Sequence, residues 1–206
     1  IITGDEFNNL INGTGNDDTL LGLGGDDVLF GSSGDDLLNG GEGTDTANYG
    51  NFNRAITLKS QGAIEKGSST DEILDIESIV GAVGKRNLID GTVPGGGPAR
   101  FDIDLSTNDL AVLGIPGLGA ASFKVFNFAD INGTANNDRL LGDNKDNVFG
   151  GSAGDDLIDG QGGKDTVDYT ALKAAVTLER AGTINKGKAG TEQLLGIETI
   201  VGANGF

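Results

Sequence analysis

No cysteine, methionine, tryptophan or histidine occurs in the 206 residues, and proline occurs only 3 times. Without cysteine there is no disulfide framework, no thiol nucleophile and no thiolate metal site. Without histidine the usual general base and the commonest zinc ligand are gone. Basic residues are scarce as well: 14 Lys and Arg stand against 31 Asp and Glu, a formal charge of −17. Such a chain repels phosphate backbones and anionic lipids, so neither nucleic acid nor a membrane surface is an expected partner. Hydrophobic residues make up only 36%, too little for a thick conventional core. No run approaches the roughly 18 consecutive apolar residues of a membrane span, so insertion is not expected. The chain opens at Ile1 with neither a Met nor a signal-like stretch, and reads as a fragment or processed piece of something longer.

What is abundant is glycine, with 37 residues, and aspartate, which outnumbers glutamate 23 to 8. Both are turn residues, and the helix-favouring acid is the rarer one. Glycine recurs every nine residues at Gly4, Gly13, Gly22, Gly31 and Gly40. In that register the chain reads GTGNDDTLL, GLGGDDVLF, GSSGDDLLN and GGEGTDTAN, preceded by a weaker GDEFNNLIN with Asn9 in the Asp slot. The sixth position is Asp18, Asp27, Asp36 and Asp45, and the eighth is Leu20, Leu29, Leu38 and Ala47. The ladder returns at Gly133, Gly142, Gly151 and Gly160. There Asp138, Asn147, Asp156 and Asp165 are sixth, and Leu140, Phe149, Ile158 and Val167 eighth.

Glycine at the first and fourth positions permits the positive φ of a tight turn. The last three residues suit one short strand whose alternation sends the eighth side chain inward. Nine residues are then half a coil, and about eighteen complete one turn of a parallel β-solenoid, with repeats n and n+2 stacked at strand spacing, roughly 4.8 Å. This stacks Asp18 on Asp36, Asp27 on Asp45, Asp138 on Asp156 and Asn147 on Asp165. Carboxylates that close repel unless a cation lies between them. Donors that are all oxygen favour a hard cation, and calcium accepts irregular, carbonyl-rich shells better than magnesium. The competing reading, Asp that merely caps its own turn, explains neither the period nor the eightfold recurrence.

These repeats resemble the RTX nonapeptide, G-G-x-G-x-D-x-U-x, of calcium-binding parallel β-roll proteins. GGEGTDTAN carries every glycine and the Asp; GSSGDDLLN and GSAGDDLID lack only the second glycine. The resemblance implies that the sixth-position side chains of Asp18, Asp27, Asp36, Asp45, Asp138, Asn147, Asp156 and Asp165 coordinate calcium. It adds carbonyls of the glycine turns at Gly25, Gly34, Gly43, Gly154 and Gly163. It also implies secretion from a bacterium, to the extracellular space or cell surface. About five ions, in a range of about four to six, would follow from the stacked pairs, lowering the negative charge to roughly −7. Asn16 and Lys145 at fourth positions, and Asn147 at a sixth, mark turns expected to bind weakly or to complete a neighbour's site. The doubled Asp at fifth positions (Asp17, Asp26, Asp35, Asp146, Asp155) is read as solvated or as standing behind the ligands, with a direct ligand role the lesser alternative.

The blocks belong to a larger duplication. With an offset of 120, DTANYGNFNRAITLKSQGAIEKG (45–67) aligns to DTVDYTALKAAVTLERAGTINKG (165–187), and after one inserted residue IESIVGA (76–82) aligns to IETIVGA (197–203). Each tail is read as broader solenoid coils capping a thin β-roll. The expected fold is therefore all-β: a parallel β-roll or solenoid of two duplicated modules. The first module spans 1–91, a Gly/Pro linker 92–99, and 100–206 holds a strand lead-in (FDIDL, FKVFNF) and the second module. Pro94, Pro98 and Pro116 all lie between 92 and 130.

Other chemistry is weak. The glycine stretch at 22–25 lacks a following Lys and opens no helix, so it is no phosphate site. Asp102-Ile103-Asp104-Leu105-Ser106 lacks the Gly and the distal Glu of an EF-hand and alternates like a strand. Asn12-Gly13-Thr14 and Asn132-Gly133-Thr134 are sequons that fall in repeat register. The paired carboxylates could serve glycoside hydrolysis, but nothing else marks a substrate cleft, and no enzyme is expected here. The expected function is a calcium-dependent structural module of an adhesin, surface layer or matrix, folding on calcium outside the cell. Its partners would be calcium, cell-surface or matrix components, and a second copy: the closing IVGANGF fits the opening IITGDEF, as in a tandem array or head-to-tail filament. The alternative is the C-terminal calcium-folding and secretion portion of an RTX exoenzyme or toxin whose catalytic domain lies elsewhere.

Overall fold

The structure, a computed structural model, describes residues 1–115 and 119–204; Pro116 lies outside them. It is all-β, with no α-helix among the described residues and two 3₁₀ turns, Arg180–Gly182 and Gly187–Ala189. No helix is long and apolar enough to cross a membrane. The chain divides into two compact units, 1–88 with 123–128 and 89–122 with 129–206.

In the first unit the last three residues of each nonapeptide form a strand and the glycine turn reverses direction. Successive strands therefore alternate between two sheets. One sheet orders Ile2–Thr3, Thr19–Gly24, Leu37–Glu42 and Thr70–Leu74; the other orders Leu10–Asn12, Val28–Phe30, Thr46–Asn48 and Ser78–Val80. Pairing is parallel with a step of eighteen, Leu20 beside Leu38 and Leu29 beside Ala47. These four eighth-position side chains have no exposed surface, and burying each leucine contributes about 2 kcal/mol. The tail departs from pure parallel winding. Thr57–Lys59, Ala63–Glu65 and Thr70–Leu74 run antiparallel as a meander before the coil resumes. The meander stands in the same sheet as the roll strands, beside Leu37–Glu42.

The second unit repeats the plan. Leu140 pairs with Ile158 and Phe149 with Val167, all without exposure. Its tail likewise contains an antiparallel meander, Thr177–Leu178, Thr183–Asn185 and Thr191–Leu195. Arg100–Asp104 and Asp109–Ile115 form an antiparallel hairpin that joins the roll through parallel pairing with Arg139–Leu141. Phe101, Ile103 and Leu105 point inward, so the Asp102–Ser106 stretch is a half-buried strand and its end. Residues 92–99 are turn and loop, with Gly95 and Gly96 at φ +83° and +73°.

Candidate metal centre

Each glycine turn is fixed by its fourth residue. Gly25, Gly34, Gly43, Gly154 and Gly163 have φ of +96°, +99°, +142°, +109° and +119°, a region closed to most side chains. Space forbids a side chain too. A Cβ on Gly34 would stand 2.7 Å from the Asn16 carbonyl oxygen, one coil away, and one on Gly163 2.5 Å from that of Lys145.

The turn delivers the sixth residue into the roll. Asp27, Asp36, Asp45, Asp138, Asn147, Asp156 and Asp165 are buried, and Asp18 is half-buried. Five of these carboxylates reach across one coil. Asp27 accepts the amide of Asn9 at 2.7 Å, Asp36 that of Asp18 at 2.9 Å, and Asp45 that of Asp27 at 2.8 Å. In the second unit Asp156 accepts from Asp138 at 3.0 Å and Asp165 from Asn147 at 2.8 Å. All four stacked pairs expected from the period are thus brought together. The fifth residues run an opposite ladder. Asp17 accepts the amide of Asp35, Asp26 that of Thr44, Asp35 that of Thr70, Asp146 that of Lys164 and Asp155 that of Thr191. They are stacking contacts, a role that composition and spacing did not reveal.

Oδ1 of Asp27, Asp36, Asp45, Asp156 and Asp165 is used by this ladder, and the fate of the second oxygen separates the two edges. Asp27 Oδ2, Asp45 Oδ2 and Asp165 Oδ2 are buried and have no hydrogen-bond partner. In their turns the second residue, Leu23, Gly41 or Gln161, is left-handed, at φ +81°, +99° and +64°, and donates no amide to the carboxylate. Burial holds the Asp45 and Asp165 carboxyls above the usual range, and the amide each accepts only partly offsets it. Beside each orphaned oxygen lies a main-chain oxygen of the next coil. A Cβ on Gly22 would run into both Asp27 Oδ2 and the Gly40 carbonyl, one on Gly40 into Asp45 Oδ2 and the Asp75 carbonyl, and one on Gly160 into Asp165 Oδ2 and the Gly196 carbonyl. Each orphaned oxygen thus stands near a main-chain oxygen, and a buried carboxylate oxygen without a donor is costly unless a cation supplies the charge. Among the described residues no three His, Cys, Asp or Glu side chains converge on one point. A cation held here would have to draw on main-chain carbonyls as well, a donor set that calcium accepts.

Residues 1–29, 12–47 and 132–167 match the family model of the RTX calcium-binding nonapeptide repeat (4 copies). The chain carries RTX repeats. RTX repeats bind calcium, and their β-roll is a structural calcium-binding fold. No curated protein matches the chain.

On the other edge of each RTX roll the second oxygen is already engaged. Asp18 Oδ2 accepts from the amide and hydroxyl of Thr14 at 2.6 and 2.7 Å, which holds its carboxyl below the ordinary range. Thr134 does the same for Asp138, through its amide at 2.6 Å and its hydroxyl. Burial nevertheless pushes Asp138 up to about 6. Asp36 Oδ2 accepts from the Ser32 hydroxyl at 2.8 Å, and Asp156 Oδ2 from that of Ser152 at 3.2 Å. Asp36 and Asp156 also face Lys66 and Lys186, whose side chains are wholly enclosed. Burial raises the Asp156 carboxyl, an effect Lys186 opposes.

Four more acids close the columns from the tails: Asp71 and Glu77 in the first unit, Glu192 and Glu198 in the second. Asp71 accepts the amide of Asp36, Glu77 that of Asp45 and Glu198 that of Asp165. They lie outside the nonapeptides. The signal that could have found them is the duplication itself, since with the inserted residue Asp71 aligns to Glu192 and Glu77 to Glu198.

Proposed function

We propose that this chain is a calcium-dependent structural module of a secreted or cell-surface protein, such as an adhesin, surface-layer or matrix component. The observation that carries it is the orphaned edge: Asp27, Asp45 and Asp165 each hold a buried carboxylate oxygen without a partner. We assign calcium to these positions, with carbonyls of the glycine turns at Gly25, Gly43 and Gly163 completing the shells. Asn147 stacks on Asp165; its side-chain oxygen is neutral and accepts the Asp143 amide at 2.9 Å, which makes it the weaker ligand of that site. Asp18, Asp36, Asp138 and Asp156 form the opposing column.

At low calcium, carboxylate repulsion and the entropy of so many glycines oppose the fold. At extracellular calcium, binding free energy becomes folding free energy. Affinities on the order of 10⁻⁴–10⁻³ M are those of extracellular calcium modules. Secretion agrees with this, since RTX proteins are typically secreted bacterial proteins. Repetition of the entire module, tail included, favours a structural role over the calcium-folding end of an exoenzyme.

The test is a calcium titration followed by far-ultraviolet circular dichroism and by counting bound ions. Chelation should remove most of the β-signal and calcium should restore it cooperatively. A spectrum unchanged by chelator, with no ion bound, would falsify the reading.

A further inference from the structure

The two edges of each roll differ in where their positive charge comes from. Lys66 Nζ donates to the carbonyl oxygens of Ser32 at 2.7 Å and Gly34 at 3.0 Å, to Asp36 Oδ2 at 3.4 Å, and to Asp71 Oδ1. These are the second, fourth and sixth residues of one nonapeptide, plus the acid stacked on it from the next coil. Such a set, two turn carbonyls and two carboxylates, would supply about four of the six to eight oxygens of a calcium shell, and an ammonium occupies it. Lys186, at the aligned position of the second module, has Asp156 Oδ2 at 2.8 Å and Glu192 Oε2 at 3.4 Å. Both lysine side chains have no exposed surface.

Neighbouring groups fix the arrangement. Tyr49 donates its hydroxyl to Asp71 Oδ2 at 2.8 Å, and Tyr169 donates to Glu192 Oε2. Gly31 leaves room for the first ring, since a Cβ there would strike it. The Phe52 ring lies 5.8 Å from Lys66 Nζ and adds a cation–π contact. The backbone carries each lysine to its place at the end of a short strand. Lys66 follows Ala63–Glu65, and its amide bonds to Ser69; Lys186 follows Thr183–Asn185, and its amide bonds to Gly190. The opposite edge is the internal control. There Asp45 and Asp165 meet Glu77 and Glu198 and keep orphaned Oδ2 atoms, whereas Asp36 and Asp156 have theirs engaged. No lysine is paired with Asp45 or Asp165 among the described residues. On the lysine edge the one buried oxygen left without a partner among the described residues is Glu192 Oε1.

We propose that Lys66 and Lys186 are tethered cations that hold the last metal position on one edge of each roll, closing it to calcium and making it independent of calcium. This rests on the calcium reading of the orphaned edge. Metal therefore enters the open edge, while the tail end of each module keeps a countercharge that no chelator removes.

The experiment counts calcium ions bound by the whole chain in wild type, Lys66→Ala and Lys186→Ala. Terbium luminescence excited through tyrosine is recorded in parallel. Tyr49 and Tyr169 are the chain's 2 tyrosines and it has no tryptophan, so sensitised emission reports an ion near Asp71 or Glu192. Each alanine variant should bind one ion more than wild type, gain terbium emission several-fold, and need calcium for a tail coil that wild type keeps in chelator. If Lys66→Ala folds at no calcium level, Lys66→Ala combined with Asp71→Asn removes one buried carboxylate and should still take the additional ion. Wild type that binds calcium while the folded variants gain none overturns the proposal. Failure of wild type to bind any calcium overturns the reading of the open edge, and a variant that then still takes an ion shows that the lysine had blocked a site.

Discussion

Lys186 Nζ lies 2.8 Å from Asp156 Oδ2, and both side chains are completely shielded from water. Desolvating two charges is expensive, and removing one partner leaves the other buried and uncompensated. Lys186→Met fills the volume without restoring charge or leaving space for a metal. In saturating calcium it should lower stability by about 3–5 kcal/mol. Urea unfolding of the variant beside wild type measures this, and a loss below about 1 kcal/mol would contradict a structural role for the ammonium.

The open edge should lose metal when its orphaned oxygen is neutralised. Asp45→Asn is expected to weaken calcium binding at that site tenfold or more. Asp26→Ala removes only an acceptor in the stacking ladder, Asp26 to Thr44, costing about 1 kcal/mol of stability with little change in affinity. Isothermal titration of the two variants separates these effects; equal losses of affinity would reject the assignment of ligands to the sixth position.

Leu23 is the sixth-position Asp27's partner in conformation: it stands at φ +81° where the RTX pattern has glycine, and it is 44% exposed. A left-handed leucine costs about 1–2 kcal/mol. Leu23→Gly should relieve part of that strain and raise the thermal midpoint in calcium. A midpoint that falls instead would mean that leucine packing outweighs the backbone.

Asp138 supplies a pH dependence. Its carboxyl is raised to about 6 in the fold by burial, so the native state binds its proton more tightly than the unfolded chain does. The associated stability is complete below the unfolded value near 3.8, declines as pH rises through about 6, and is absent above it. Ionising the group costs about 3 kcal/mol by pH 7. In saturating calcium, wild type should lose stability to urea between pH 5 and pH 7.5 relative to Asp138→Asn, which lacks the titrating carboxyl. The opposite slope would refute the shift.

Much of this was legible before any coordinates, because a period of nine with fixed glycines leaves the backbone few alternatives. The inward layer of Leu20, Leu29 and Leu38 and the pairing of Asp27 with Asp45 are direct consequences of that period. What spacing could not give is which carboxylates are already neutralised. Lys66 reaches Asp36 from thirty residues onward, through a hairpin whose antiparallel course is not periodic. The column ends at Asp71, Glu77, Glu192 and Glu198 were hidden for the same reason: Asp71 and Glu192 lie in tail strands and Glu77 and Glu198 just before one, and each has meaning only beside the coil it meets. The ladder of fifth-position carboxylates was missed because an exposed Asp in a turn looks alike whether it faces water or the amide of the next coil.

Lys66 and Lys186 each come after the repeats whose charge they balance. A chain made from its N-terminus therefore exposes the aspartates of 4–48 before their built-in counterion exists, and those of 133–168 in the same way. Each module carries its own delay: the coil beneath the lysine has no built-in countercharge for its buried acids until the following tail has been made. The order of residues along the chain thus sets a clock on closure that calcium concentration alone would not provide.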